Sequence, residues 1–139
     1  MPLQMNVDDL SKFLSKEFLQ VADDFAIDNV EEGWIQLRLV AHDKHLRPGG
    51  TVSGPAMFAL ADVSAYLVTL AMIGPKALAV TTNCSIDFMR KPRAGADLIA
   101  RCTLLKLGKH LSVSDVLLYS EGQNAPVARA TLTYAIPQK

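Results

Sequence analysis

The segment from Gly54 to Gly74 constrains the fold more than any other part of this 139-residue chain. It reads GPAMFALADVSAYLVTLAMIG, an unbroken apolar run of helix-forming residues in which Asp62 is the one charge. Ser53 is placed to cap the helix, Pro55 suits its first turn, and Gly74 followed by Pro75 ends it. A helix that is apolar on every side lies either in a membrane or at the centre of a protein.

The rest of the chain favours the centre of a protein. An aspartate in the middle of a membrane span costs about 2.5–3.5 kcal/mol on insertion scales. Apolar and polar residues also alternate in several segments, as they do in half-buried strands. These segments are Phe25 to Val30, Trp34 to Ala41, Val80 to Met89, Leu98 to Leu107, Leu111 to Ser120 and Val127 to Ile136. Their apolar faces need a common partner, and the long helix is the large apolar element available.

We therefore predict an α+β fold, a curved antiparallel sheet of five to six strands wrapped around a long central helix. A short N-terminal helix precedes the sheet, because Leu10, Phe13, Leu14 and Phe18 recur at helical spacing. Residues 1–139 are expected to form one domain. One small sheet should not surround the central helix, so we expect a homodimer and, beyond it, a tetramer built as a dimer of dimers.

Composition and motifs exclude several classes of function. The 14 basic and 14 acidic side chains cancel, whereas nucleic-acid binding normally rests on a concentrated positive surface. Cys84 and Cys102 lack the short spacing of a metal or redox site. Residues 1–20 have no apolar core of a signal peptide. We expect a cytoplasmic protein with reduced thiols, no bound metal, and no nucleic-acid or membrane partner.

Asp62 needs an explanation, because aspartate is rarely buried without a partner. It lies more than two turns into the helix, which is too deep for a capping role. One interpretation is a structural acid that is hydrogen-bonded across a dimer interface. The other is a catalytic carboxylate, for which an apolar surrounding is useful.

Two segments resemble the signature of the PaaI-like thioesterases of the hotdog superfamily. They are Arg47 to Asp62, RPGGTVSGPAMFALAD, and Val80 to Pro92, VTTNCSIDFMRKP. The resemblance extends in order over about Phe25 to Pro137. It implies the hotdog fold and the hydrolysis of acyl-CoA thioesters between two subunits, with coenzyme A as part of the substrate and no separate cofactor.

The resemblance also implies roles for single residues. Asp62 matches the catalytic carboxylate, which either activates water or attacks the carbonyl. Gly54 matches the glycine whose backbone N–H polarises the thioester carbonyl, and Thr81 matches a Ser/Thr that holds the water or the carboxylate. Thr82 is its neighbour, and strand alternation allows one of the two to face the site. Pro55 stands where relatives have a second glycine.

Further residues are expected to bind the substrate. Ser53 and Arg47 depart from the family pattern, which has His and Asn or Gln at these positions. Arg47 should bind an anionic part of the substrate or pair with Asp62. The acyl group should contact Met57, Phe58 and Tyr66. The phosphates of CoA need cations at strand ends, and the candidates are Arg90, Lys91, Arg93, Lys106 and Lys109.

Three other functions are alternatives to thioester hydrolysis. The first is a non-catalytic acyl-CoA-binding hotdog protein, which the changes at Ser53 and Arg47 suggest. The second is a hotdog dehydratase acting on a 3-hydroxyacyl thioester, although such enzymes use a histidine that neither the central helix nor the loop just before it supplies. The third is a structural dimer module, which predicts no ligand pocket beside Asp62.

Overall fold

The computed structural model of the chain describes residues 2–138. Six antiparallel strands form one curved sheet around a long helix, which confirms the predicted hotdog fold. The strands are β1 (Phe25–Glu31), β2 (Trp34–Leu39), β3 (Val80–Phe88), β4 (Leu98–Leu107), β5 (Leu111–Ser120) and β6 (Ala128–Ala135). Their order across the sheet is β1-β2-β4-β5-β6-β3, so the last three strands form the expected meander and β3 lies at an edge.

The two main helices are α1 (Val7–Glu17) and α2 (Gly54–Ile73). The side chain of Asn6 accepts a hydrogen bond from the Asp9 N–H and caps α1. Helix α2 has the length and composition of a membrane span, yet 14 of its 20 residues are buried within the chain itself. It is therefore the central core helix that the pattern predicted.

The expectation that a second subunit covers the sides of α2 that the sheet leaves open is wrong for most of the helix. Leu10, Phe13 and Leu14 of α1 are buried in the same core as α2. The ring centroid of Phe13 lies 6.3 Å from that of Tyr66. The backbone N–H of Gln4 also donates to the Ala71 carbonyl oxygen at 2.7 Å. The N-terminal segment thus closes a side that the sheet leaves open.

What stays uncovered is a narrow stripe on the first half of α2. Pro55, Phe58, Ala59 and Asp62 are exposed or half-buried and follow helical spacing. Phe58 is 39% exposed although it is a large apolar residue. The neighbouring edge strand β3 is also poorly covered, with most of its residues exposed. The stripe and the edge strand together form a continuous candidate interface.

The loop before α2 is more ordered than a plain connection. A short 3-10 helix spans Asp43–His45, and the His45 carbonyl oxygen accepts the Ser53 N–H at 2.8 Å. Gly49 and Gly50 have φ angles of +102° and +82°, which a residue with a side chain rarely adopts. Their turn brings Arg47 back toward the start of α2.

Candidate active site

The carboxylate of Asp62 is held by one of its two oxygens. Its Oδ1 accepts hydrogen bonds from the Thr81 hydroxyl at 2.5 Å and from the Tyr134 hydroxyl at 2.8 Å. Its Oδ2 accepts none from residues 2–138. Asp62 is half-buried rather than sealed in the core. The side chain is therefore oriented by the protein and still has one oxygen available for a ligand or water.

A bulge in β3 decides which of the two neighbouring threonines faces Asp62. The pairing of β3 with β6 shifts register between Thr81 and Asn83, and such bulges re-aim side chains. Thr81 contacts Asp62, whereas Thr82 is exposed and donates to the Thr133 carbonyl oxygen at 3.3 Å. The geometry therefore places Thr81 at the carboxylate and Thr82 away from it.

Asp62 opens onto a cavity of about 390 Å³, which we name the acidic cavity. Its charged lining residues are Glu17 and Asp62, and no basic residue of the described chain lines it. The other lining residues are aromatic, small or amide-bearing: Phe18, Gln20, Tyr66, Ala77, Ala79, Val80, Thr81 and Tyr134. The arrangement gives a cavity with aromatic walls and the carboxylate of Asp62 in its lining.

The N-terminus of α2 carries a free backbone donor. The Ser53 N–H donates to His45, the Ala56 N–H donates to the Ser53 hydroxyl at 3.3 Å, and Pro55 has no N–H. The Gly54 N–H has no acceptor within residues 2–138. Unpaired N–H groups and the positive end of the helix dipole favour a partial negative charge on a ligand oxygen.

Gly54 lines a second cavity of about 630 Å³, which we name the cationic cavity. Arg47, Arg90 and Lys91 are its charged lining residues, and within the described chain no acidic residue lines it. Apolar side chains, among them Met57 and Met89, form much of the remaining wall. Phe88 covers Gly54, because its ring would lie 3.6 Å from a Cβ atom at that position. The cavity suits an anionic ligand with an apolar portion.

Arg47 differs from the other arginines by its lack of a protein partner. The Nε of Arg90, by contrast, donates to the Pro126 carbonyl oxygen at 3.1 Å. The Arg47 guanidinium makes no hydrogen bond or ion pair with residues 2–138, and Asp62 lines the other cavity. Within one chain, Arg47 is therefore not the partner of Asp62.

Several residues expected to bind substrate lie elsewhere. Phe58 lines neither cavity and belongs to the uncovered stripe of α2. The Ser53 hydroxyl is engaged in capping. Lys106 and Lys109 border a separate cavity of about 240 Å³ at the β4–β5 hairpin. Arg93 donates to the Glu121 carbonyl oxygen at 2.9 Å.

Sequence reasoning missed Tyr134, the second hydroxyl donor to Asp62. A signal existed, because Ala128, Ala130, Leu132 and Tyr134 alternate along β6 and all face the core. A buried tyrosine hydroxyl usually has a hydrogen-bond partner. The alternation alone did not identify that partner, since Asp62 is 72 residues away along the chain.

Gly54 and Asp62 do not meet within one chain. They are eight residues apart on a continuous helix, which corresponds to about 12 Å along its axis. They also line different cavities. A ligand atom hydrogen-bonded to the Gly54 N–H of one chain therefore lies out of reach of Asp62 in the same chain.

Known proteins that are similar to this chain in sequence and in structure point to one family. A sequence model described as the thioesterase superfamily matches residues 49–127. A solved candidate thioesterase from Silicibacter sp. TM1040 is 57% identical over 99% of this chain and 95% of its own, with a TM-score of 0.93.

Two other solved proteins are more distant. A variant of the phenylacetic acid degradation protein PaaI from Thermus thermophilus is 28% identical over 86% of this chain and 98% of its own, with a TM-score of 0.72. A Streptococcus mutans protein, solved with bound acetyl CoA, is 27% identical over 83% of this chain and 90% of its own, with a TM-score of 0.70.

Proposed function

This chain belongs to the thioesterase superfamily, and we propose that within this class of thioester hydrolases it cleaves acyl-CoA thioesters to a free acid and CoA. The observation that carries the proposal is the Asp62 carboxylate, fixed at Oδ1 by two hydroxyl donors and free at Oδ2. The acetyl CoA bound to the Streptococcus mutans relative supports a CoA ester as the substrate. A cytoplasmic location, where such esters and reduced thiols occur together, is part of the proposal.

The reaction adds water across the thioester. The carbonyl oxygen accepts the Gly54 N–H, which stabilises the negative charge that develops on it. Asp62 takes a proton from water, the resulting hydroxide forms a C–O bond, the C–S bond breaks, and CoA leaves as a thiolate that is then protonated. In the alternative route, Asp62 Oδ2 attacks the carbonyl, CoA leaves, and water hydrolyses the mixed anhydride.

The proposed site needs two copies of the chain. Since about 12 Å separate Gly54 from Asp62 along one helix, the oxyanion donor and the carboxylate at one thioester come from different copies. The edge strand β3 runs from one cavity to the other and can therefore join the two copies in this way. Its first residues, Val80 and Thr81, line the acidic cavity, and its last residue, Phe88, lines the cationic cavity. Antiparallel pairing of two β3 strands about a two-fold axis brings each cavity beside the other kind.

Charge complementarity supports the same arrangement. One cavity carries Arg47, Arg90 and Lys91, and the other carries Glu17 and Asp62. We assign the phosphates of CoA to the cationic cavity, because opposite charges steer a ligand into such a site. The acyl group then extends toward the aromatic wall of the acidic cavity in the second copy. Met57 and Tyr66 contact opposite ends of this path.

The dimer gives a first prediction. Phe58→Asp places a charge on the uncovered stripe of α2 and should convert the protein to a monomer without hydrolytic activity, because each site then lacks half of its groups. Light scattering at micromolar concentration reads the mass, and it also tests the predicted tetramer.

Leu105→Asp is the matched control for the dimer. Leu105 is 60% exposed on β4, away from the stripe, so its replacement should leave both the dimer and hydrolysis intact. A wild-type protein that is monomeric and fully active at these concentrations would show that one chain suffices.

Arg47 gives a second prediction. Arg47→Asn should raise KM for acyl-CoA about three- to tenfold with kcat little changed, because an exposed cation that binds a phosphate contributes roughly 1 kcal/mol. The increase should shrink at high salt and be absent with the same acyl group on N-acetylcysteamine, which lacks phosphates. Arg101→Asn, on the outer face of the sheet where it stacks on Tyr119, is the control.

The opposite pattern would identify another role for Arg47. A change in kcat at unchanged KM, seen equally with CoA and N-acetylcysteamine esters, would mean that Arg47 pairs with the second copy's Asp62.

The function itself is tested by release of free thiol from a panel of acyl-CoA esters. Hydrolysis that depends on Asp62 supports the proposal. Tight binding of the esters without thiol release identifies the non-catalytic alternative. The dehydratase alternative lacks support, since no histidine lines either cavity in the described chain.

A further inference from the structure

Thr81 and Tyr134 form a structural pair as well as a pair of donors. They stand directly opposite each other on the neighbouring antiparallel strands β3 and β6. Residues in this relation have Cβ atoms about 5 Å apart on the same face of the sheet. Both hydroxyls reach the same oxygen of Asp62, which comes from the helix above. Two adjacent strands of the sheet thus each donate a hydrogen bond to the same carboxylate oxygen.

Tyr134 is the more buried member of this pair. It is 4% exposed, and its ring centroid lies 5.8 Å from that of Tyr66. Its hydroxyl lies 2.8 Å from Oδ1 and 3.0 Å from the backbone carbonyl oxygen of Asp62. A phenol has one proton to donate, and the charged, nearer carboxylate is the stronger acceptor.

The Tyr134 hydroxyl remains protonated at the pH at which hydrolysis is assayed. Burial of the phenol, followed by the negative charge of Asp62, raises the pKa of Tyr134 well above its ordinary value. The Tyr134 hydroxyl therefore carries a proton that it can donate to the carboxylate at 2.8 Å.

We infer that Tyr134 is a positioning residue, which together with Thr81 holds Oδ1 so that Oδ2 of Asp62 is the reacting oxygen. This inference rests on the proposed function, since it assigns the working atom of the proposed catalytic carboxylate. An aspartate side chain can otherwise rotate and exchange its two oxygens. Because Oδ1 accepts both hydroxyl donors, Oδ2 is the oxygen that faces the ligand in every turnover.

The test is Tyr134→Phe, which keeps the ring and removes one hydroxyl. We expect kcat to fall about 10- to 100-fold, the range for a lost hydrogen bond to a charged group. KM should stay near the wild-type value, because the ring still fills the cavity wall. Tyr119→Phe, whose ring stacks on Arg101 at 4.7 Å on the outer face of the sheet, is the matched control and should behave as wild type. Circular dichroism and the melting temperature report whether the variants fold.

The failure of this inference differs from the failure of the proposed function. If Tyr134→Phe keeps wild-type kcat while Asp62→Asn is inactive, the positioning role is wrong and the function stands. If Tyr134→Phe lowers the residual rate of Asp62→Asn by the same factor as in the wild type, Tyr134 acts on the substrate and not through Asp62. If Asp62→Asn retains wild-type hydrolysis, the proposed mechanism and this inference fall together while the hydrolytic function stands, and if the wild type releases no thiol, the proposed function itself is wrong.

Discussion

Asp62→Asn is expected to lose almost all hydrolysis of acyl-CoA while the protein keeps its fold. Asparagine has the shape of aspartate, and its amide oxygen still accepts the hydroxyls of Thr81 and Tyr134. The amide nitrogen takes the place of Oδ2 and has no lone pair that can accept a proton or attack a carbonyl. Loss of a general base typically lowers kcat about 100- to 10,000-fold. Thiol release at saturating substrate measures this loss.

Asp8→Asn is the control for this variant. Asp8 lies on α1 and lines neither cavity, and its exposed carboxylate pairs with Lys12 at 3.0 Å. An exposed ion pair contributes about 1 kcal/mol or less, so this change should leave turnover and melting temperature near the wild type. If Asp62→Asn also turns over at the wild-type rate, Asp62 is a structural acid and the proposed mechanism is wrong.

Asparagine is a better replacement than alanine at this position. Asp62→Ala removes the carboxylate to which half-buried Thr81 and buried Tyr134 donate, and loss of a hydrogen bond to a charged group costs roughly 1.5–3 kcal/mol of the free energy of unfolding. A loss of activity in the alanine variant would therefore combine chemistry with stability. The two variants together separate these effects.

Much of the fold could be predicted because apolar residues recur along the chain with the spacing of strands and because the central helix is an unbroken apolar run. The observed helix Gly54–Ile73 and the strands from Val80 to Ala135 differ from the predicted segments by a few terminal residues. Apolar alternation and turn residues act locally, so a single sequence records them. The way in which α1 closes over α2 is not local. It depends on which side of α2 the sheet leaves open.

The candidate site was predictable only in part for the same reason. Asp62 stood out as a charge in an apolar helix, and Thr81 followed from the family resemblance. Tyr134 did not stand out, because its contact with Asp62 is set by the pairing of β3 with β6. The separation of Gly54 from Asp62 is different. It follows from helix geometry alone, about 1.5 Å per residue. The structure adds that the two residues line different cavities, which is why the proposed site combines two copies of the chain.

Gly54→Pro should remove most hydrolysis by deleting one backbone N–H. Proline is favoured at the first position of a helix, and Ser53 already has the extended backbone, φ −77° and ψ 160°, that a following proline requires. The added Cβ would lie 3.6 Å from the Phe88 ring, an ordinary contact. Loss of one oxyanion donor lowers kcat about 100- to 1,000-fold. Gly54→Ala keeps the N–H and should remain active.

Mixing the two inactive variants then tests whether each site is shared between copies. In a heterodimer of Gly54→Pro and Asp62→Asn chains, one of the two sites combines the intact Gly54 of one chain with the intact Asp62 of the other. Random assembly makes about half of the dimers mixed, so co-refolded variants should recover about a quarter of wild-type activity. If instead both groups acted from the same chain, every site in the mixture would carry one lesion and the mixture would stay inactive. Recovery of activity after co-refolding therefore distinguishes the two arrangements.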